Sequence, residues 1–398
     1  MKKDIRILGK GNTAQAIKNH YNNAIMFDDN DLDKFDKQSN KLTVISPGIP
    51  PFNELVKNTK NPISDYDLFL TKDDLSVNEN IFSIWISGTN GKTTTTQMCE
   101  HILNYKNFKA CGNIGLALGD AIKKDYNNLL IESSSYTLHY TLYAKANLYL
   151  LLPISDDHLS WHGTFKEYEK SKLKPLDKLK ENEIAIVPYK YKNYKTNATL
   201  YTYKDSNDLA KQFNININKL NFKEPFLFDA IMAMCVDKIL FNNISYEKIN
   251  LFKTDIHKME EFAKEKNILY VNDSKGTNVD ATIQALKTYK NNNIHIILGG
   301  DDKGANLNPL FEELKKHQIV IYSIGTNTNK LYDMSIKNSI LCIKCNTLLN
   351  ACDKIKEKLQ EINNDKLTVV LLSPAASSFD QFDSYKQRGE IFKENILF

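Results

Sequence analysis

A chain of 398 residues is too long for one ordinary hydrophobic core and is expected to divide into two or three domains. Fifty-two Lys+Arg against 48 Asp+Glu leave a net charge of only +4, which makes no case for a nucleic-acid binder. A hydrophobic content of 42% with 25% charged residues is the balance of a soluble globular protein, and no apolar stretch approaches the roughly 18 residues a membrane helix needs, so a cytoplasmic protein without membrane insertion is expected.

The N-terminus, MKKDIRILGKGNTAQAI, opens with two lysines and an apolar run. Asp4 and Arg6 interrupt the run, and Gly9 and Gly11 follow at once, with Thr13 beyond them. This predicts a short buried strand entering a turn rather than a secretory signal. LTVIS, from Leu42 to Ser46, reads as a second strand and ends in Ser46-Pro47-Gly48. Beyond a polar stretch near residues 70–80 come FSIWISG, NLLIESS, NLYLLLPIS and EIAIVP; beyond another near 250–260 come ILYVND, IHIILGG, IVIYSIG and LTVVLLSP. Each is apolar on both faces and ends at Gly, Pro, Ser or Asp, as central parallel strands between helices do. The intervening periodicity is helical, as in TNVDATIQALKTYK, where Ala281, Ala285 and Leu286 share a face. The fold is α/β throughout, and the polar stretches suggest three domains, 1–79, 80–254 and 255–398.

In open α/β sheets, functional residues gather beyond the carboxyl ends of the strands. FSIWISG leads into Gly88-Thr89-Asn90-Gly91-Lys92-Thr93-Thr94 and then a helical pattern. Two glycines let backbone N–H groups converge on an anion at the helix start, Lys92 reaches terminal phosphates and the Thr93 hydroxyl suits Mg²⁺. Ile86 stands where a full phosphate-loop pattern would carry a further glycine. Glu132 ends the strand NLLIESS, where a carboxylate can serve the same metal, and Asp156, Asp157 and His158 follow NLYLLLPIS. In the helical stretch that comes next, Lys166, Lys170, Lys172 and Lys174 are all candidates for a solvated face, and nothing in the residues singles one out.

The last third is the most distinctive. Asp273, Ser274, Lys275 and Thr277 cluster after one strand, and Asp301, Asp302 and Lys303 after the next. Ser373, Ser377, Ser378 and Asp380 follow the last strand, with Tyr385 and Arg388 beyond. Lysines beside hydroxyls suit a substrate that carries carboxylates. Six cysteines are scattered, and the pair Cys342-x-x-Cys345 is read as structural, because no second pair stands at ligand spacing.

These motifs together resemble the Mur ligases, the ATP-dependent amide-forming enzymes of peptidoglycan precursor synthesis. GTNGKTT matches the family's shortened phosphate loop, which accounts for Ile86. GNIG (Gly112 to Gly115), ESSSYTL, NDSKGTN, LGGDDKGAN and LSPAASSFDQF…QRG follow in the order of the D-glutamate-adding branch, over nearly the entire chain. The resemblance implies a Rossmann-like N-terminal domain that grips a UDP-sugar through Gly9, Gly11, Thr13, Ser46, Pro47 and Gly48. It implies a central P-loop ATPase-like domain and a Rossmann-like C-terminal domain. ATP would be bound by Gly88 to Thr94 with Asp273 and Lys275 near the nucleotide, and Mg²⁺ at two sites by Thr93, Glu132 and His158.

Asn113 and Ser134 would touch UDP-N-acetylmuramoyl-L-alanine. Lys172 matches the lysine that family members carbamylate with CO₂, a carboxylate-like group that would help hold the second Mg²⁺, and the catalytic set would be Lys92, His158 and Lys172. Thr277, Lys303, Ser378 and Tyr385 match positions around the incoming D-glutamate. A monomer acting on these substrates, with no nucleic-acid partner, is the expectation. Two departures stand out. Pro225, Phe226 and Asp229 occupy the family's His-Asn-x-x-Asn signature for adenine, and His257-Lys258 replaces a His-Arg linker. A folylpolyglutamate synthase or another Mur step is the rival within the superfamily, and a nucleotide-binding sensor of wall precursors the rival outside enzymes.

Overall fold

The computed structural model describes residues 4–360 and 366–397. The chain forms two compact units, one of residues 1–222 with 226–252 and one of 223–225 with 253–398. The first unit holds two sheets. Strands β1 (Ile5–Leu8), β2 (Ile25–Phe27), β3 (Leu42–Ile45) and β4 (Pro62–Ile63) form a parallel sheet in the order β2-β1-β3-β4. Strands β5 (Phe82–Ser87), β6 (Phe108–Gly112), β7 (Asn128–Glu132), β8 (Leu148–Leu151), β9 (Ile184–Pro188) and β10 (Thr199–Tyr203) form a second, in the order β10-β9-β8-β5-β7-β6. All its pairings are parallel. From β5 the chain first builds outward to β6 and β7, then returns to place β8 on the other side. The sheet therefore reverses direction between β5 and β8, the place where such folds open a ligand crevice.

The polar stretch near 70–80 separates these sheets in sequence but not in packing. One apolar cluster runs from Ile5 and Ile7 through Tyr66 and Phe69 to Trp85, Ile131 and Tyr149. The helix Asp65–Phe69 makes the junction, and every one of its residues is buried. Tyr66 meets Trp85 edge-on with ring centroids 4.9 Å apart, and its hydroxyl donates to Ser133 Oγ at 3.1 Å. Asp67 accepts the backbone N–H groups of Leu142, Tyr143 and Ala144 at 2.9, 2.7 and 2.8 Å.

In the second unit, β11 (Glu260–Glu265), β12 (Ile268–Asn272), β13 (Asn293–Gly299), β14 (Gln318–Ile324), β15 (Leu341–Asn346) and β16 (Thr368–Leu372) run in the order β11-β12-β16-β13-β14-β15. Only β11 is antiparallel to its neighbour. The central strands read as unbroken apolar runs because both faces are covered. Val271, Val369 and Leu371 enter one core, while Tyr270, Val370 and Leu372 enter the other. The same alternation places Cys342 against the first core and Cys345 in the second, since residues three apart on a strand face opposite ways. All six cysteines are free thiols, and this pair cannot close on one metal. The helix Val279–Thr288 buries Thr282, Ala285 and Leu286, and Ala281, expected on that face, is only half-buried. Among the described residues no helix is long and apolar enough to cross a membrane.

Candidate active site

Strand β5, buried from Ser83 to Ser87, delivers the chain to the β5/β8 crevice and turns it through Gly88 to Gly91. Gly88 has φ +147°, and a Cβ there would come within 2.5 Å of Leu152 Cβ. Gly91 has φ +84° and caps the 12-residue helix Lys92–Leu103; a Cβ on it would lie 2.7 Å from Asp229 Oδ1. A side chain at either position would be strained both by the positive φ and by the close contact. Of the four threonines after Lys92, Thr94, Thr95 and Thr96 are buried against the sheet, leaving Thr93 half-buried at the helix mouth. Lys92 folds back over the turn, with Nζ donating to Gly88 O at 2.9 Å and Thr89 O at 2.7 Å. Backbone N–H groups at a helix N-terminus with a cation over them make an anion site.

The neighbouring strand ends supply the rest. Glu132, at the end of β7, is 3% exposed. Its Oε1 accepts from Asn113 Nδ2 at 3.0 Å, and its backbone carbonyl accepts Asn113 N–H at 3.0 Å, which pins the GNIG turn. Glu132 Oε2 is buried and accepts no hydrogen bond among the described residues. A buried carboxylate oxygen without a donor is costly, and it is suited to a cation. His158 follows β8 in the left-handed region at φ +54°, with Nδ1 2.7 Å from the Tyr136 hydroxyl.

Of the four candidate lysines the structure distinguishes one. Lys166 and Lys170 are exposed, and Lys174 donates to His139 O. Lys172, 1% exposed, runs beneath the phosphate turn and donates to Gly88 O at 2.7 Å and Ser87 Oγ at 3.3 Å. Its Nζ lies 4.9 Å from the Tyr168 ring centroid, and the Tyr168 hydroxyl is 2.9 Å from Thr89 Oγ1. Burial first, and the charge of Lys92 second, push this amine well below the ordinary lysine range. Among the described residues no group of three or more His, Cys, Asp or Glu side chains closes on one point. Glu132 and His158 would therefore need hydroxyl or modified-lysine ligands beside them. Asp229, at the altered adenine signature, is 2% exposed and accepts from Thr95 Oγ1 at 2.9 Å. It sits under the phosphate turn, at Gly91.

On the N-terminal sheet, Gly9 packs so closely that a Cβ would lie 2.8 Å from Ser46 Oγ. That hydroxyl is buried with no hydrogen-bond partner among the described residues. Gly11 caps the helix Asn12–His20, with Thr13 half-buried in its first turn, and Pro47 and Gly48 continue from Ser46 at the surface. Ser134 caps the helix Ser135–Tyr140, accepting Thr137 N–H at 3.1 Å.

In the second unit, β12, β16 and β13 are adjacent, so their three polar exits share one sheet edge. Asp273 is 4% exposed and accepts from Ser373 Oγ at 2.7 Å and Met259 N–H at 3.1 Å. Burial raises its pKa to about 7. Asp301 and Ser377 exchange backbone hydrogen bonds, tying the β13 exit to the β16 exit. Arg388 is fully buried; its guanidinium donates to Ser274 Oγ and O and to Ala376 O. It braces the loops that carry Thr277 and Ser378. The Tyr385 carbonyl accepts from Ser274 Oγ at 2.8 Å. Lys275 lies 3.7 Å from Asp255, and Lys303 and Thr277 are exposed. Tyr136, Tyr168 and Ser87 were not among the residues singled out from sequence, because no phosphate- or metal-binding pattern includes them.

Residues 86–229 match the Mur ligase middle domain. The chain is 44% identical to the UDP-N-acetylmuramoylalanine–D-glutamate ligase of Campylobacter jejuni (strain RM1221), over 91% of this chain and 87% of that protein. It is 38% identical to the ligase of the same name from Helicobacter pylori (strain HPAG1), over 99% of each. Among solved structures, the MurF ligase from Thermotoga maritima in complex with ADP aligns with a TM-score of 0.58 at 16% identity, over 99% of this chain and 94% of that one, a likeness of fold alone.

Proposed function

Because this chain belongs to the Mur ligases, in the branch of the UDP-N-acetylmuramoylalanine–D-glutamate ligases, we propose that it uses ATP to join the L-alanyl carboxylate of UDP-N-acetylmuramoyl-L-alanine to the amine of D-glutamate, a step of peptidoglycan precursor synthesis. The structural observation that carries this reading is the phosphate turn at the β5/β8 reversal, flanked by a buried carboxylate, Glu132, and a buried amine, Lys172.

In the proposed reaction a carboxylate oxygen attacks the γ-phosphorus of ATP, ADP leaves, and an acyl phosphate forms. The neutral amine of D-glutamate attacks the acyl carbon, the tetrahedral adduct expels phosphate, and a proton leaves the new amide nitrogen. Positioning and charge neutralisation do the work, and no serine or cysteine nucleophile is needed. Lys92 and the N–H groups of Gly88 to Thr94 hold the phosphates. Glu132, Thr93 and His158 would hold Mg²⁺, which when bound offsets phosphate charge; the unmatched Oε2 of Glu132 supports that assignment.

The depressed basicity of Lys172 supports its carbamylation. Only an uncharged amine attacks the carbon of CO₂; an N–C bond forms, a proton leaves, and the resulting anion supplies the oxygen ligand that the carboxylates and imidazoles lack. Residues 1–79 are assigned to the uridine diphosphate, through Gly9, Ser46 and their neighbours, with Asn113 and Ser134 toward the sugar-peptide. Residues 80–254 are assigned to ATP. Residues 255–398 are assigned to D-glutamate through Thr277, Lys303, Ser378 and Tyr385, with Asp273 and Lys275 toward the nucleotide. A need for ATP fits a cytoplasmic site of action.

The test is a mass balance. One UDP-sugar-dipeptide, one ADP and one phosphate should appear together, with D-glutamate accepted and L-glutamate, L-alanine and diaminopimelate refused. A substrate labelled with ¹⁸O in the alanyl carboxylate should pass one label to phosphate. Product formed only with another amino acid overturns the proposed specificity, and unlabelled phosphate overturns the acyl phosphate.

A further inference from the structure

Tyr136 lies four residues beyond Glu132 in sequence and against His158 in space, yet no motif assigns it a task. It is on the helix Ser135–Tyr140, which begins where β7 ends. Its ring is held from several sides, 4.7 Å from Trp161, 5.7 Å from His162 in a stacked arrangement and 4.8 Å from His158. His162 is clamped to the same helix through Ser135 Oγ at 2.9 Å. The phenol oxygen is thus delivered by a rigid aromatic cluster to His158 Nδ1, 2.7 Å away.

His158 itself holds a backbone conformation that non-glycine residues rarely adopt, and such strain persists only where the surroundings over-determine it. Asp157 and Tyr136 both face its Nδ1. Asp157 Oδ1 stands at 3.6 Å, beyond hydrogen-bond length, and is engaged by the His158 backbone N–H at 2.8 Å. The Tyr136 hydroxyl is within reach. With Nδ1–H donated to the phenol oxygen, the lone pair of the imidazole is on Nε2, the form a divalent cation takes. With the phenol donating instead, Nε2 carries the proton and cannot ligate.

We propose that Tyr136 is a positioning residue for the metal site, holding the His158 ring through Nδ1 so that Nε2 is the nitrogen presented to a divalent cation. The proposal rests on the reading of His158 as a metal ligand. A ligating imidazole whose other nitrogen loses its partner typically loses 10- to 100-fold in metal affinity.

The experiment uses the full chain with a non-hydrolysable ATP analogue and Mn²⁺ as the probe. Bound Mn²⁺ is counted by EPR, and imidazole coordination is read from ¹⁴N coupling in pulsed EPR. Wild type should show the coupling and His158→Ala should lose it. Tyr136→Phe, which keeps the ring and its packing, should weaken Mn²⁺ binding on the order of tenfold and change the coupling, with its melting temperature near that of wild type. If His158→Ala binds Mn²⁺ like wild type with the same coupling, the ligand assignment fails and takes the proposal with it. If His158→Ala loses the coupling while Tyr136→Phe matches wild type in both readings, the ligand assignment stands and the role of Tyr136 is refuted.

Discussion

Replacing Asp67 by Asn changes one oxygen for one NH₂ group at the junction of the first two sheets. Asp67 is fully buried. Its Oδ1 takes the N–H groups of Tyr143 and Ala144, and its Oδ2 takes those of Leu142 and Ser64 together with the Ser64 hydroxyl. An amide can keep the first pair, but its nitrogen cannot accept the second. Two buried backbone donors then stand against a third donor, at about 1–3 kcal/mol each, a loss of about 2–6 kcal/mol. Both tryptophans, Trp85 and Trp161, belong to the first unit, and Trp85 is fully buried beside Tyr66. Their fluorescence therefore follows this unit alone. In urea the midpoint of that transition should fall by about 0.7–2 M for a slope of about 3 kcal/mol per M. Asp67→Ala, which removes both oxygens, should fall further. A midpoint for Asp67→Asn within about 0.2 M of wild type would refute the account of how the two sheets are joined.

Lys172→Ala should abolish most ligase activity and recover part of it when a small carboxylate such as acetate is added; full activity at low CO₂ would remove the carbamate from the reaction. Gly91→Ala sets a Cβ against Asp229 and forces a left-handed residue, so it should raise the KM for ATP and cost about 1–2 kcal/mol in the fluorescence-monitored unfolding. Asp273 is raised from 3.8 to about 7 in the folded chain. Its contribution to stability is therefore fully present below pH 4 and lost as pH rises through about 7, a change of about 4 kcal/mol. Asp273→Asn should flatten that slope in urea unfolding followed by far-UV circular dichroism between pH 4.5 and 8, and an unchanged slope would exclude the assignment.

The strands that could be read from the sequence share a position. IRILG, LTVIS, FSIWISG, NLYLLLPIS and the other six quoted runs are the interior strands of the three sheets, covered on both faces and therefore mostly apolar. Strands β2, β4, β6, β10, β11 and β15 are the sheet edges, where one neighbour is missing and solvent admits polar side chains. Glu260–Glu265 (EEFAKE) has no regular apolar alternation and little burial, and its antiparallel pairing with β12 is what makes it a strand. The site shows the same division. Glycines that the backbone requires, such as Gly88 and Gly91, are legible because no other residue fits. Which of Lys166, Lys170, Lys172 and Lys174 turns inward, and which of four threonines faces out, depend on how a helix is rotated against its sheet, and short polar stretches do not encode that.

The carbonyl of Gly88 receives both Lys92 and Lys172. An ammonium group already tethered across its own turn has few rotamers left to surrender when a nucleotide arrives. Exchanging Gly88 O and Thr89 O for phosphate oxygens keeps the number of contacts made by Lys92 while moving its charge onto a stronger acceptor. If Lys92 moves to a phosphate, Lys172 is left as the side-chain donor to Gly88 O among the described residues. Under the proposed phosphate role of Lys92, arrival of a nucleotide would be felt directly at the amine beneath the turn.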